Sequence, residues 1–418
     1  MTEHLWINAA QLATPTGSPA CGAGPMNTLQ IIENAAVLVR DGKIAALGAT
    51  DEVRKITSEQ AELHDVGGLT IVPGLVDAHT HPVFAGTRAD EYEQRILGKT
   101  YKEISAAGGG IRRSVRLTRA ATEDQLTELA IHRARSFVSH GTTTIEGKSG
   151  YGLSLEDELK LLRVLRTMNQ TTPLEVVPTF LGAHEIPDEY RERRDEYLTL
   201  LVETMLPAVA KEHLAVNCDI FCEPHVFSLE ESRTYLKAAK QLGFGLRVHV
   251  DQLTRSGGSQ LAAELGAVSA DHLEQAEEEE LLALKEARVF PVLLPGSVFH
   301  LGLKKYPPAR RMIELELPVV LATDFNPGSS PSLSLPMAMS LACTQMRMTP
   351  GEALTACTLN AAHSLGLGDR IGSLEVGKQA DFAVFDVTDY RQIPYYFGTH
   401  LVQATVKRGE VVYFKTSL

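Results

Sequence analysis

Nothing in this 418-residue sequence points toward a membrane, a nucleic acid or an oxidising compartment. Its apolar runs stop well short of the ~18 residues that span a bilayer. Basic residues are in deficit. The formal net charge is −12, so the positive field that phosphate backbones require is missing and a nucleic-acid partner is excluded. Any anionic ligand must therefore be met by a few local cations. Cysteine is sparse: Cys21, Cys218, Cys222, Cys343 and Cys357 form an odd, scattered set, and Cys218 and Cys222 stand four apart in a strand-like stretch rather than in a zinc-knuckle spacing. The opening residues MTEHLWINAAQLATPTG have no basic flank ahead of an apolar stretch, so no signal peptide is expected. These absences leave a reducing, cytoplasmic location as the expectation. Disorder is excluded too, because 44% hydrophobic and 22% charged residues are the balance of a globular chain with a large core.

What is present has a clear order. Residues 34–48 (NAAVLVRDGKIAALG) are two apolar runs around Asp41-Gly42, a strong hairpin signal. The tail repeats the device, with strand-like residues at 380–387 and 404–413 and a turn at Arg408-Gly409. Neither end buries a core alone, so residues 1–70 and 372–418 are expected to form one composite β-sandwich. The interval 71–371 alternates short β-like runs (75–81, 142–149, 175–184, 218–223, 245–251, 269–273, 289–295 and 318–325) with helical stretches such as 155–168 and 230–242. Eight such repeats predict a (β/α)₈ TIM-like barrel. The first connection, 82–141, is longer than one crossover helix needs, and part of it is expected to cover a pocket.

Barrel enzymes place their chemistry where strands end. The polar residues at predicted strand ends are His79 and His81, His184, His249, His272 and Asp324. In His79-Thr80-His81 the two-residue repeat turns both imidazoles to one face. His79, His81, His249 and Asp324 make a donor set for Zn²⁺ or Fe²⁺ with a position left for water. A lone histidine is usually a packing or hydrogen-bonding residue, and His4, His64, His132, His140, His213, His300 and His400 are read that way.

The segment VPGLVDAHTHPVFAG (72–86) resembles the first-strand metal motif of the amidohydrolase superfamily. Arg88, TYKEISAAGGGI (100–111), TTTIEGKSGYGL (142–153), FLGAHEIP (180–187), VHVDQL (248–253), SADHLE (269–274) and LATDFNPGSSPS (321–332) further resemble the imidazolonepropionase family in order and spacing. The resemblance runs over nearly the whole chain, and KSGYGL and TDFNPGS are its most specific parts. Many two-metal amidohydrolases bridge their ions with a carboxylated lysine on the fourth barrel strand. The corresponding run CDIFCE (218–223) has no lysine, and Lys148 belongs to the second strand. One ion per chain is therefore expected.

The resemblance implies a planar imidazolone ring with a propionate tail, 4-imidazolone-5-propanoate, as substrate. Arg88 then becomes the expected bidentate partner of the tail. Tyr151, framed by glycines, and the weaker candidate Tyr101 are expected at the substrate. His184 is expected to hold the ring or its carboxylate, and His272 to polarise the attacked carbonyl. Asn326, Gly328 and Ser329 supply groups suited to a carboxylate. Gln252, where some family members carry glutamate, hydrogen-bonds the ring but is no base, which leaves the proton shuttle to Asp324. Each has a plainer reading: surface arginine, turn tyrosine, or the common turn string Asn-Pro-Gly-Ser. Gly147-Lys148-Ser149 imitates the end of a phosphate loop but lacks its first glycine. Two rivals stay open: another amidohydrolase acting on a small cyclic amide or heterocycle, and a non-catalytic scaffold. A homodimer is compatible with the large barrel surface.

Overall fold

The first and last described strands share one sheet. In the computed structural model, which describes residues 2–17, 26–99, 103–104 and 108–415, the strands β1 (Glu3–Pro15), β2 (Leu29–Arg40), β3 (Lys43–Ala49), β4 (Glu62–Asp65) and β5 (Thr70–Pro73) precede the barrel. The strands β14 (Phe382–Phe385), β15 (Val402–Lys407) and β16 (Glu410–Phe414) follow it. Their order is β16-β15-β14-β5-β1-β2-β3, with β4 beside β1. Both expected hairpins form, and their turn residues take the left-handed backbone that such turns demand: Asp41 and Gly42 at φ 46° and 75°, Arg408 and Gly409 at 52° and 83°. The turns touch, since a Cβ on Gly42 would sit 2.9 Å from the Arg408 carbonyl oxygen. The sheet thus folds over itself, and Trp6 meets Phe382 edge-on at 5.1 Å inside it. β5 spans the boundary expected at residue 70 and pairs with β1 and β14 in this sheet. The first barrel strand accordingly starts at Leu75.

Between these ends lie eight parallel strands, each paired with the next: β6 (Leu75–Asp77), β7 (Thr142–Lys148), β8 (Glu175–Ala183), β9 (Asn217–Cys222), β10 (Gly245–Val250), β11 (Ser269–His272), β12 (Phe290–Leu293) and β13 (Val320–Leu321). The regular pairing stops at β13 and β6, and the gap is closed one step further on. Asp324 N donates to the His79 carbonyl at 3.1 Å and His81 N to the Phe325 carbonyl at 2.8 Å. Beneath them the Asp77 carboxylate accepts from Thr323 N at 3.0 Å and its hydroxyl at 2.6 Å. The barrel is sealed, then, by the segments that carry His79, His81 and Asp324.

Helices cover the outside as the spacing predicts. Leu155–Thr171 starts on the Ser154 cap and buries Leu161, Leu162, Leu165 and Met168. Leu229–Gln241 starts on a Ser228/Glu231 capping box, which satisfies two backbone donors reciprocally. The long first connection contains Ala89–Ile96, Ile111–Ala120 and Glu123–Ser139, and Glu91, Arg95 and Ile111 from it wall a cavity at the barrel mouth. Cys218, Cys222 and Cys357 are buried free thiols. Among the described residues no helix is long and apolar enough to cross a membrane.

Candidate active site

The cavity at the C-terminal ends of the strands holds about 600 Å³ and is lined by His81, Tyr151, His184, His249, His272 and Asp324, among others. His79 stands directly beneath, its ring centroid 4.5 Å from that of His249, 5.3 Å from His81 and 5.8 Å from His272. Asp324 Oδ1 lies 3.6 Å from Nε2 of both His79 and His81. Two overlapping clusters result, His79 with His81 and Asp324, and His79 with His249 and His272. The six strand-end residues meet around one point.

Two of these positions hold unusual backbone. His272 has φ 84° and Asp324 φ 54°, a region that side-chain-bearing residues rarely enter and that concentrates at functional sites. At those φ values the chain leaves the strand abruptly, so each side chain is carried over the mouth.

Carboxylates behind the histidines fix which nitrogen faces inward. His79 Nδ1 lies 2.6 Å from Asp271 Oδ2, and His249 Nδ1 lies 3.0 Å from Asp219 Oδ1. Each ring's Nε2 is thereby left as a lone-pair donor, and that of His79 is buried with no hydrogen-bond partner. Burial holds the pKa of His79, His184 and His249 below the ordinary histidine value, which keeps the rings neutral. For His272 burial acts in the same direction, but the neighbouring Glu274 and Asp324 carboxylates outweigh it and raise the pKa. Asp324 is pulled below the usual range, against its burial, by His81 and His272.

Lys148 and Arg247 are fully buried among these carboxylates. Lys148 Nζ donates to Asp219 at 2.6 Å and Glu146 at 2.9 Å and stands 3.6 Å from Asp271. Arg247 Nε lies 2.9 Å from Glu146. Glu146, Asp219 and Asp271 are thus three carboxylates around two cations, and Asp324 faces imidazoles instead, so the buried acidic groups outnumber the lysine and arginine and leave a deficit of positive charge. An orphaned inward nitrogen, oriented rings and that deficit all fit a divalent cation. This donor set calls for one.

Glu146, Lys148, Asp219, Arg247, Asp271 and Glu274 escape the reading of strand ends. For the first five the signal is nevertheless present: strands of a parallel barrel are buried on both faces and run apolar, so every charge inside one is anomalous.

At the cavity's other side Arg88 Nε donates to Glu91 Oε2 at 2.9 Å. The guanidinium lies across Gly328, where a Cβ would sit 2.7 Å from Arg88 Cζ. A side chain at 328 would push the guanidinium aside. The amides of Gly328 and Ser329 do not point free into the cavity; both donate to Asn326 Oδ1, at 2.8 and 2.7 Å. Asn326 Nδ2 in turn donates to the Asp324 carbonyl at 2.6 Å, so Asn326 builds the turn that presents Asp324. Ser329's hydroxyl lies 3.2 Å from Asp324 Oδ2. Tyr151 faces His184 at 5.4 Å, and His184 stacks on His81 at 5.1 Å. His184 Nδ1 meets the Gly150 carbonyl at 2.9 Å. Gln252 lines the same cavity. Tyr101 lies outside the described residues.

Comparison with known proteins agrees with this architecture. The amidohydrolase family model matches residues 70–412. An imidazolonepropionase of Solibacter usitatus is 53% identical over 418 residues, covering all of both chains. One from Symbiobacterium thermophilum is 49% identical over 98% of this chain and 97% of its own. Among solved structures, E. coli guanine deaminase superposes with a TM-score of 0.73 at 17% identity over the full length of both. A 5-methylcytosine deaminase from Klebsiella pneumoniae, liganded with 5-fluorocytosine, gives 0.73 at 17% identity over 99% of this chain and 98% of its own. At that identity the structural likeness speaks for the fold alone.

Proposed function

The chain belongs to the amidohydrolase family and, within it, to the imidazolonepropionases, and on that footing we propose that its barrel mouth opens the ring of 4-imidazolone-5-propanoate with water, giving N-formimidoyl-L-glutamate. The reaction is hydrolysis of a carbon–nitrogen bond in a cyclic amide. One observation carries the reading: a cation donor set and a guanidinium laid across Gly328 share one cavity. Hydrolytic chemistry sits at one side and an anchor for a carboxylate at the other.

His79, His81, His249 and Asp324 would hold the ion, one per barrel, either Zn²⁺ or Fe²⁺. Bound there, such an ion lowers the pKa of a water and polarises a carbonyl oxygen. Arg88 grips the propionate tail as a bidentate fork, steadied by Glu91. Tyr151 and His184 flank the planar ring. With its Nδ1 proton committed to Gly150, His184 keeps Nε2 as the acceptor for a ring N–H. Gln252 adds a hydrogen bond and no basicity. As water attacks the ring carbonyl, Asp324 takes its proton while the new C–O bond forms. His272, its proton favoured by Glu274, donates to the oxygen on which charge develops. Asp324 then delivers the proton to the ring nitrogen as the C–N bond breaks, and the product leaves as a carboxylate bearing a formimidoyl amine. The reading places the enzyme in the cytoplasm, where its buried thiols stay reduced.

The test offers the purified enzyme 4-imidazolone-5-propanoate and, separately, guanine, cytosine and adenosine. Loss of imidazolone absorbance with formation of N-formimidoylglutamate and no ammonia from the aminoheterocycles is the expected result. Faster ammonia release from any of those three would overturn the reading in favour of a deaminase.

A further inference from the structure

A second group of metal-ligating side chains lies on the terminal sheet, away from the barrel cavity. Among the described residues β4 pairs with that sheet through β1. The two strands run parallel, with His4 opposite Glu62 and Trp6 opposite His64. The two-residue repeat of a strand sets these four side chains on one face. Trp6, 4% exposed, lies flat against the His64 ring at 4.3 Å and 14°, which fixes the imidazole's plane.

Ligand atoms of these three residues, His4, Glu62 and His64, then face one another. His4 Nδ1 is 3.2 Å from His64 Nε2. Glu62 Oε2 is 3.4 Å from His4 Nδ1, and Glu62 Oε1 is 3.7 Å from His64 Nε2. Ligands held about 2.0–2.1 Å from a tetrahedral zinc ion stand about 3.3–3.4 Å from each other. The His4–His64 and His4–Glu62 separations are close to the edges of a tetrahedral face, and the other Glu62 oxygen stands 3.7 Å from His64. As hydrogen bonds alone, the contacts must divide the imidazole protons among two ring nitrogens and a carboxylate, whereas a cation satisfies all three residues at once. The ring nitrogen left over, His4 Nε2, is buried without a hydrogen-bond partner, and Glu410 Oε1 stands 3.8 Å from it. A carboxylate behind the second nitrogen is the usual support of a metal-bound imidazole. The side chains of His4 and His64 are 12% and 20% exposed and that of Glu62 65%, so an ion can enter from solvent.

From this geometry we infer that His4, Glu62 and His64 form a second metal site, which takes one Zn²⁺ with water in the fourth position and clips the edge strand β4 to β1. The site is structural. None of its residues touches the barrel cavity, and it stands whether or not the proposed ring opening does.

The test starts from the enzyme with its barrel ion in place and loosely held metal removed. Titration with Zn²⁺ against a chromophoric chelator is expected to show one further equivalent per chain, together with a rise in Tm. His4→Gln and His64→Phe should each lose that equivalent and the Tm rise while keeping wild-type turnover; phenylalanine preserves the ring on Trp6. Glu410→Gln should keep the equivalent but bind it about 10-fold more weakly. Co²⁺ offered to the same loaded wild-type chain should give the intense visible absorption of a tetrahedral site, a readout that needs no variant. No further equivalent in the wild type, its persistence in both histidine variants, or a weak octahedral cobalt spectrum would each overturn the inference.

Discussion

Replacing Gly328 by alanine sets a methyl group against the one guanidinium assigned to the substrate's tail. The new Cβ would lie 2.7 Å from Arg88 Cζ, about 1 Å inside ordinary carbon contact. The loop has little freedom to retreat, because the Gly328 and Ser329 amides are tied to Asn326 Oδ1 and Asn326 to the Asp324 carbonyl. Arg88 must therefore swing off its position over the turn. A charge-assisted hydrogen bond contributes about 1.5–3 kcal/mol, so losing one from the bidentate grip lowers kcat/KM by about 10- to 150-fold. The effect is expected mainly in KM, since the tail is remote from the reacting carbon. Steady-state loss of imidazolone absorbance measures it, with metal content determined on the same sample. A folded, metal-loaded Gly328→Ala enzyme with kcat/KM within twofold of wild type would refute the assignment of Arg88 to the carboxylate.

Lys148→Met strips a cation from three buried carboxylates. Urea unfolding is expected to show a loss of about 3–5 kcal/mol, and competition titration to show barrel metal binding about 10- to 100-fold weaker, because Asp219 and Asp271 orient two of the imidazoles. Asp324→Asn keeps the shape but removes the proton shuttle; kcat is expected to fall by at least about 100-fold, and an active metal-loaded variant would contradict the role. Glu175 on β8 ties barrel to terminal sheet through Lys407 at 3.0 Å and also pairs with Arg370. Burial works against its ionised form, but these cations outweigh it and hold its pKa at about 2 instead of 4.5. A depressed carboxyl stabilises the fold above the ordinary value and loses that contribution as pH falls through the folded one. The full linkage is about 3 kcal/mol, reduced to about 1–2 kcal/mol by solvent screening. Glu175→Gln should accordingly cost that much in urea unfolding at pH 7 and close to nothing near pH 2.

The barrel was legible because its strands are short apolar runs at even spacing, each ended by a polar residue. Period and strand-end logic together mark His79, His81, His184, His249, His272 and Asp324 in the sequence, and the structure gathers these six at one mouth. What the sequence hides is register. Lys148 reads as one basic residue at the end of β7, yet its partners Asp219 and Asp271 come from β9 and β11, and nothing local says that the three side chains share a layer. His4 and His64 look like packing histidines for the same reason, being sixty residues apart and joined only by the β1–β4 pairing. Asn326-Pro-Gly-Ser looked like a free carboxylate cradle; its amides are spent on its own asparagine. Side chain-to-backbone closure of that kind has no periodic signature.

The central claim is that a divalent ion between His79, His81, His249 and Asp324 is indispensable to ring opening. Enzyme stripped by chelator and titrated with Zn²⁺ or Fe²⁺, while 4-imidazolone-5-propanoate absorbance is followed, tests it most directly. Turnover near zero in the stripped protein, rising in proportion to metal and levelling once the barrel has one equivalent, is the expected result. Full turnover by protein that retains no metal would contradict the account.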